Sequence, residues 1–153
     1  MPEVAAEVAA TIARGLASVV ELTREPALAT GGETILRSVS GAVAAELDPR
    51  EDIVIALPCI QMADKKPSLL VVLEDRAILA WSTGVLRSTP HSDVVPLAES
   101  WGATIAPGIG SRQPVKVLTV QWAERDPWVV AVPDYPQLTG RLRELFRARS
   151  STM

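Results

Sequence analysis

The chain has very few of the residues on which most enzyme and metal sites depend. Among its 153 residues there is one cysteine, Cys59, one histidine, His91, and no asparagine. A single cysteine excludes an intrachain disulfide, and a single histidine excludes a catalytic or metal pair built from two histidines. Without asparagine the chain has no N-glycosylation acceptor. These absences count against a disulfide framework and against the enzyme and metalloprotein classes, and we expect no cofactor.

A large charge of one sign and a long apolar run are also missing. The formal net charge is −3 with 22% charged residues, which gives no basic footprint for nucleic acid. The alanine-rich residues 1–22 are interrupted by Glu3, Glu7 and Arg14, so they fit neither a signal peptide nor a membrane-spanning helix. We therefore expect a soluble, cytoplasmic protein that does not bind nucleic acid.

The first third of the chain predicts two helices that form an antiparallel hairpin. Apolar residues recur at three- and four-residue steps over Pro2–Thr23, which is typical of one helix face. Pro26 and the pair Gly31-Gly32 should end this region, and Thr30 should cap a second helix over Glu33–Leu47.

From Asp52 onward the apolar period changes to two, which predicts strands. Ser68–Leu73 and Ala77–Ser82 flank the polar triplet Glu74-Asp75-Arg76, a β-hairpin pattern. Similar runs predict about seven strands in total; the later ones are Val85–Leu97, Ala103–Ala106, Val115–Trp122 and Trp128–Val132. A final helix over Tyr135–Arg147 carries one apolar stripe formed by Leu138, Leu142, Leu145 and Phe146.

Two of these elements predict how the layers pack. Leu69–Leu73 has no polar alternation, so both faces of this strand should be covered, one by the barrel interior and the other by the N-terminal helices or another subunit. Runs of strands closed by one helix favour an α+β domain in which the helix closes the end of a barrel or sandwich. The apolar stripe on the last helix should therefore lie across the open end of the barrel.

The order of elements resembles a known family, the bacterial pleckstrin-homology-like (PH-like, GRAM-related) domains. The resemblance rests on Leu70–Leu79, on Val94-Val95-Pro96-Leu97, on the strand pair in Val115–Val132 and on the helix Tyr135–Arg147. It implies a split β-barrel of two nearly orthogonal antiparallel sheets with a C-terminal capping helix. The predicted division is a helical hairpin at 1–51, a PH-like domain at 52–149 and a disordered tail at 150–153.

The resemblance also suggests where a ligand would bind. It places Ala63–Pro67 between the first two strands, where lipid-binding members carry basic residues, and here that loop contains Lys65 and Lys66. Arg76 in the hairpin turn and Trp101, which lies outside the apolar alternation, complete the predicted ligand-binding set.

Other residues that could carry chemistry have simpler interpretations. His91 lies in Thr89–Asp93, which reads as a turn, and we predict no catalytic role for it. Cys59 should be a buried small hydrophobic residue. Gly108-Ile109-Gly110 precedes a strand rather than a helix, so it favours a turn over a phosphate-binding loop. The acidic residues around Arg50 should form a solvated connector.

Three functions remain open at this point. The leading hypothesis is a non-enzymatic module that binds a protein partner or self-associates. The second is a peripheral binder of anionic lipid headgroups through Lys65 and Lys66. The third, an enzyme of unidentified chemistry, has the least support because candidate catalytic groups are sparse; we predict no catalytic residue and no metal site.

Overall fold

The computed structural model describes residues 2–48, 50–83, 89–108 and 115–147, apart from the side chains of 2–6 and 40. The elements in chain order are α1 (Pro2–Thr23), α2 (Ala27–Glu46), β1 (Ile53–Gln61), β2 (Lys66–Leu73), β3 (Arg76–Thr83), β4 (Thr89–Pro96), a short 3-10 turn (Leu97–Glu99), β5 (Ser100–Pro107), β6 (Val115–Trp122), β7 (Arg125–Pro133) and α3 (Pro136–Leu145).

The strands form one antiparallel sheet that is open between its first and last members. Its order is β4-β3-β2-β1-β7-β6-β5. The two halves, β1–β4 and β5–β7, are joined by a short contact between β1 and β7 through the pairs Ile60–Ala131 and Gln61–Val130. Strands β4 and β5 are therefore the edges of the sheet. This arrangement confirms the predicted α+β class with a split-barrel-like sheet and a C-terminal helix.

The barrel interior is filled by alternate residues of both halves and by α3. Strand residues such as Leu57, Leu70 and Leu118 are fully buried in this core. The helix α3 adds its apolar stripe, of which Leu142 is fully buried. The predicted burial of Leu138, Leu142, Leu145 and Phe146 is confirmed.

The outer face of the first half of the sheet is covered by α1 and α2. Leu69, Val71 and Leu73 point to this side and share a second core with both helices. The prediction that this strand is covered on both faces is thus confirmed, with the chain's own helices as the cover. At Gly15, α1 comes so close to β1 that an added Cβ would lie 3.1 Å from the backbone N of Ala56.

Some local predictions were wrong. The second helix begins at Ala27 with Pro26 at its N-cap, so Thr30 is not the cap and Gly31-Gly32 lies inside the helix. The reason is packing between the helices: an added Cβ at Gly32 would collide with the side chain of Leu16. Only a residue without a Cβ fits against Leu16 at this position, and tertiary packing routinely overrides the low helix propensity of glycine.

The other local correction concerns β4. His91 was predicted in a turn, but it lies within β4 and pairs with Trp81 of β3. The first residues of the predicted strand Val85–Leu97, the end of the glycine segment and the predicted disordered tail at 150–153 lie in part or whole outside the described residues.

Candidate functional site

The four predicted ligand-binding residues do not come together. Lys65 and Lys66 lie at the turn between β1 and β2, whereas Arg76 lies beyond the opposite end of β2. An eight-residue strand separates the two positions by about 25 Å. Trp101 lies on the edge strand β5 of the other half of the sheet. A single pocket formed by all four is therefore excluded.

Lys66 is held by neighbours of its own chain. Its ammonium nitrogen lies 2.8 Å from Asp64 Oδ2 and 5.2 Å from the centroid of the Trp81 ring. An ion pair and a cation–π contact both reduce the charge that the side chain offers to an external anion. Lys65 is exposed and has a φ of 59°. This left-handed backbone conformation is uncommon for residues other than glycine, and here it occurs in the tight turn between β1 and β2.

Arg76 fastens the connector before β1 to the start of β3. Its two guanidinium Nη atoms each donate to Glu51 at 2.7 Å, and Nη2 also donates to the backbone carbonyl of Glu46 at 2.7 Å. The pKa of Glu51 is lowered chiefly by this hydrogen bond, and the pKa of Arg76 is raised by the same contact. The prediction that the acidic connector is simply solvated is therefore wrong. Arg76 links this connector and the end of α2 to the start of β3.

A polar cluster lies at the end of the barrel near the β1–β2 and β6–β7 turns. Trp81 stacks on His91 with 5.8 Å between ring centroids, and His91 Nε2 lies 2.8 Å from Thr83 Oγ1. Farther along β4, Asp93 accepts hydrogen bonds from Trp128 Nε1 at 2.7 Å and from Arg125 Nη1 at 2.9 Å. Since Lys66 and Arg125 each have a carboxylate partner, the cluster offers an incoming anion little uncompensated positive charge.

Cys59 is poorly placed for nucleophilic chemistry. Burial raises the pKa of Cys59 to about 12, so its thiol stays protonated near neutral pH. Within the residues that the structure describes, no three histidine, cysteine or acidic side chains are grouped as metal ligands would be.

The outer face of the second half of the sheet has an unusual composition. Direct cross-strand pairs define it: Ile60–Ala131, Val117–Ala131, Thr119–Val129, Thr104–Thr119, Ala106–Val117, Val115–Pro133 and Gly102–Gln121. None of these residues is charged, although 22% of the chain is. We call this surface the β5–β7 face. A solvated antiparallel sheet normally carries polar or charged residues on its outer side.

The three large apolar side chains that are exposed in the described part of the chain all belong to this surface or its edge. Ile60 is 42% and Val129 37% exposed, and both are members of the β5–β7 face. Trp101, at the bulge opposite Gln121 on the edge strand, is 56% exposed. The exposure of Trp101 agrees with its position outside the apolar alternation, whereas its role in binding stays a prediction.

A cleft of about 800 Å³ adjoins the β5–β7 face. One wall is the first half of α2, with Leu28 and Ile35, and the floor is the sheet around Ile60 and Ala131. The cleft marks the end of the layer that α2 forms on the sheet, and beyond it no described helix packs on the outer side of β5–β7. Glu25 and Asp134 are the acidic residues at its margin.

Sequence reasoning missed Ile60 and Val129. A signal was present in the sequence. Over Val115–Gln121 and again over Val129–Val132, the residues that alternate with the buried ones are all uncharged. The strand alternation locates the core, and the uncharged composition of the opposite face is the additional signal.

Comparisons with known proteins add no relative. No protein-family model, curated protein or solved structure matches the chain. Among the described helices, none combines the length and the hydropathy that a membrane crossing requires.

Proposed function

We propose that this protein is a non-enzymatic interaction module of PH-like architecture, and that it binds a protein partner or a second copy through the β5–β7 face. The observation that carries the proposal is the set of uncharged cross-strand pairs on the outer side of β5–β7, which includes or borders Ile60, Trp101 and Val129. Charged residues are depleted and tryptophan is enriched at the centres of protein interfaces. Contiguous exposed apolar patches on soluble proteins commonly mark such contacts.

The architecture supports the PH-like part of the proposal. The sheet order, the short junction between β1 and β7 and the C-terminal helix in the barrel core agree with the resemblance carried by Leu70–Leu79 and Val94–Leu97. A fold does not determine a function, so the interaction role depends on the composition of the surface rather than on the resemblance.

The distribution of reactive groups supports the non-enzymatic part. The Cys59 thiol is buried with a raised pKa, and His91 stacks on Trp81 beside Thr83. The large cleft is lined mainly by aliphatic and proline residues. Active-site pockets usually contain converging polar groups with shifted pKa values.

Site-specific photo-cross-linking in the cells that naturally produce the protein would test the proposal. A benzophenone amino acid at position 129 should give covalent adducts of higher mass, because Val129 lies in the β5–β7 face. The same amino acid at position 34 is the control, since Thr34 is exposed on α2. The absence of adducts from position 129, or equal adducts from both positions, would contradict the proposed function.

A further inference from the structure

We infer that the occupant of the β5–β7 face is a second copy of this chain, packed face to face about a two-fold axis. This inference rests on the proposed interaction function and names the partner for the same surface. It follows from the charge of the face, from the layer structure around it and from its size.

The absence of charge favours self-pairing. In a two-fold dimer the same patch occurs on both sides, so every charge near the axis meets a like charge unless it is exactly compensated by a neighbour. The paired residues of the β5–β7 face carry no charge that could repel its own copy. A heterologous partner would place no such restriction on the face.

The layer structure provides room for one more sheet. On the first half of the sheet, α1 and α2 form a layer against the outer side of β1–β3, through Leu69, Val71 and Ile78. On the second half no described residue forms such a layer, and the cleft beside Leu28 and Ile35 marks the step. Two packed sheets lie about 10 Å apart. A sheet from a second copy would therefore occupy the same layer as the helices.

The size of the surface is consistent with a dimer of moderate affinity. Three strands spaced by about 4.8 Å and about seven residues long give a sheet area of about 330 Å², to which β1 adds only Ile60. A stable interface buries about 800 Å² on each partner. The sheet face supplies about two fifths of that, and the adjoining cleft with the flank of α2 and Trp101 must supply the rest. We therefore expect reversible dimerisation rather than a permanent assembly.

Sedimentation of the full chain tests this inference. Over about 1 to 200 µM, a range that spans moderate affinities, the wild-type chain should pass from monomer to dimer. Val129→Lys and Val129→Glu should each weaken dimerisation by about tenfold or more, because each places a like charge on both sides of the contact. Thr34→Lys, on the exposed side of α2, should leave it unchanged. Circular dichroism would verify that every variant is folded.

Mixing the two charged variants separates face-to-face packing from any other contact. If position 129 faces its own copy, the Lys and Glu variants should restore dimerisation in the mixture, because the charges then become complementary. A dimer that neither variant weakens, or one that mixing does not restore, would overturn the face-to-face arrangement. A chain that stays monomeric at all concentrations overturns the second-copy inference, while adducts to another protein from position 129 would leave the proposed function standing.

Discussion

Asp93 joins the two halves of the sheet through the indole of Trp128. The Asp93 Oδ2 atom on the edge strand β4 accepts from Trp128 Nε1 on β7 at 2.7 Å. These strands are not neighbours in the sheet, so the bond spans the barrel interior. It complements the short backbone contact between β1 and β7.

Removing the Asp93 carboxylate should loosen this end of the barrel. Trp128 is 6% exposed, so Asp93→Ala leaves a largely buried N–H group without its acceptor. The expected loss is about 1–3 kcal/mol in the free energy of unfolding. Urea denaturation monitored by circular dichroism would measure it.

Arg125→Ala is the matched control because it removes the other donor to the same carboxylate. The ion pair of Arg125 is 39% exposed on both partners, and we expect a loss below about 1 kcal/mol. Equal losses for the two variants would show that the tryptophan hydrogen bond contributes nothing specific.

Two glycine positions should respond in opposite directions to the same substitution. Gly15→Ala should destabilise the protein, because the added Cβ would lie 2.7 Å from Ile53 Cγ2 and 3.1 Å from the backbone N of Ala56. Gly140→Ala in α3 meets no atom of the described residues within 4 Å and should stabilise by about 0.5–1 kcal/mol through helix propensity. Thermal unfolding of both variants would check this. Stabilisation by Gly15→Ala would mean that α1 does not lie against β1 as described.

Much of the fold could be predicted because its signals are local. The apolar period placed α1 at Pro2–Thr23 and β6 at Val115–Trp122 with the observed bounds. The start of α2 could not be placed, since it depends on Gly32 packing against Leu16 of another helix. A propensity rule treats paired glycines as a helix break, because it considers only the local sequence and not a contact with another helix.

The polar cluster at the barrel end was inaccessible for a different reason. Asp93 and Trp128 are 35 residues apart, and their contact depends on how the two halves of the sheet close. The sequence likewise could not reveal that Arg76 is paired with Glu51, which lies 25 residues earlier in the chain. Asp64 is different, because it lies only two residues from Lys66 and its opposing charge is visible in the sequence. The succession of helices and strands along the chain could be predicted, whereas the partners of Asp93 and Arg76 depend on the three-dimensional arrangement.

The C-terminal helix should stabilise the protein through its buried apolar face. Leu142 is fully buried in the barrel core, and Leu142→Ala should lower the free energy of unfolding by about 2–5 kcal/mol. Arg147 is exposed beyond the helix end, and Arg147→Ala should change it little. Chemical denaturation would compare the two. Similar small shifts would show that α3 does not support the barrel, and its arginines would then become candidates for partner contacts.

Acid should weaken the link between Glu51 and Arg76. The pKa of Glu51 lies below its ordinary value of 4.5 because the Arg76 guanidinium and then the backbone N–H of Asp48 donate to its carboxylate. A carboxyl group with a lowered pKa in the folded state adds stability above its unfolded value, and this stability is lost as the pH falls through the folded value. Glu51→Gln should therefore reduce the decline in stability between about pH 5 and pH 3.

The size of this effect is limited by solvent. The Glu51 side chain is 33% exposed, so we expect about 1 kcal/mol rather than the full value of a buried pair. Arg76→Met removes the partner and should flatten the same part of the pH profile. Urea denaturation at a series of pH values would measure both. If both variants keep the wild-type slope, the pair makes no contribution to acid sensitivity.

The lipid alternative predicts a gain of binding when Lys66 is released. Asp64 now neutralises Lys66 at 2.8 Å, and a basic residue near an anionic membrane adds about 1 kcal/mol. Asp64→Asn should therefore raise co-sedimentation with phosphatidylserine vesicles by about fivefold over a weak wild-type level. Glu33→Gln gives the same change in net charge at an exposed site on α2 and should have a much smaller effect. Added salt should abolish the gain, because it screens exposed charges. The wild-type chain could instead bind the vesicles as strongly as Asp64→Asn does and be released by salt. That result would show that the ion pair with Asp64 does not prevent Lys66 from binding anionic lipid. Membrane binding would in that case replace protein binding as the preferred function.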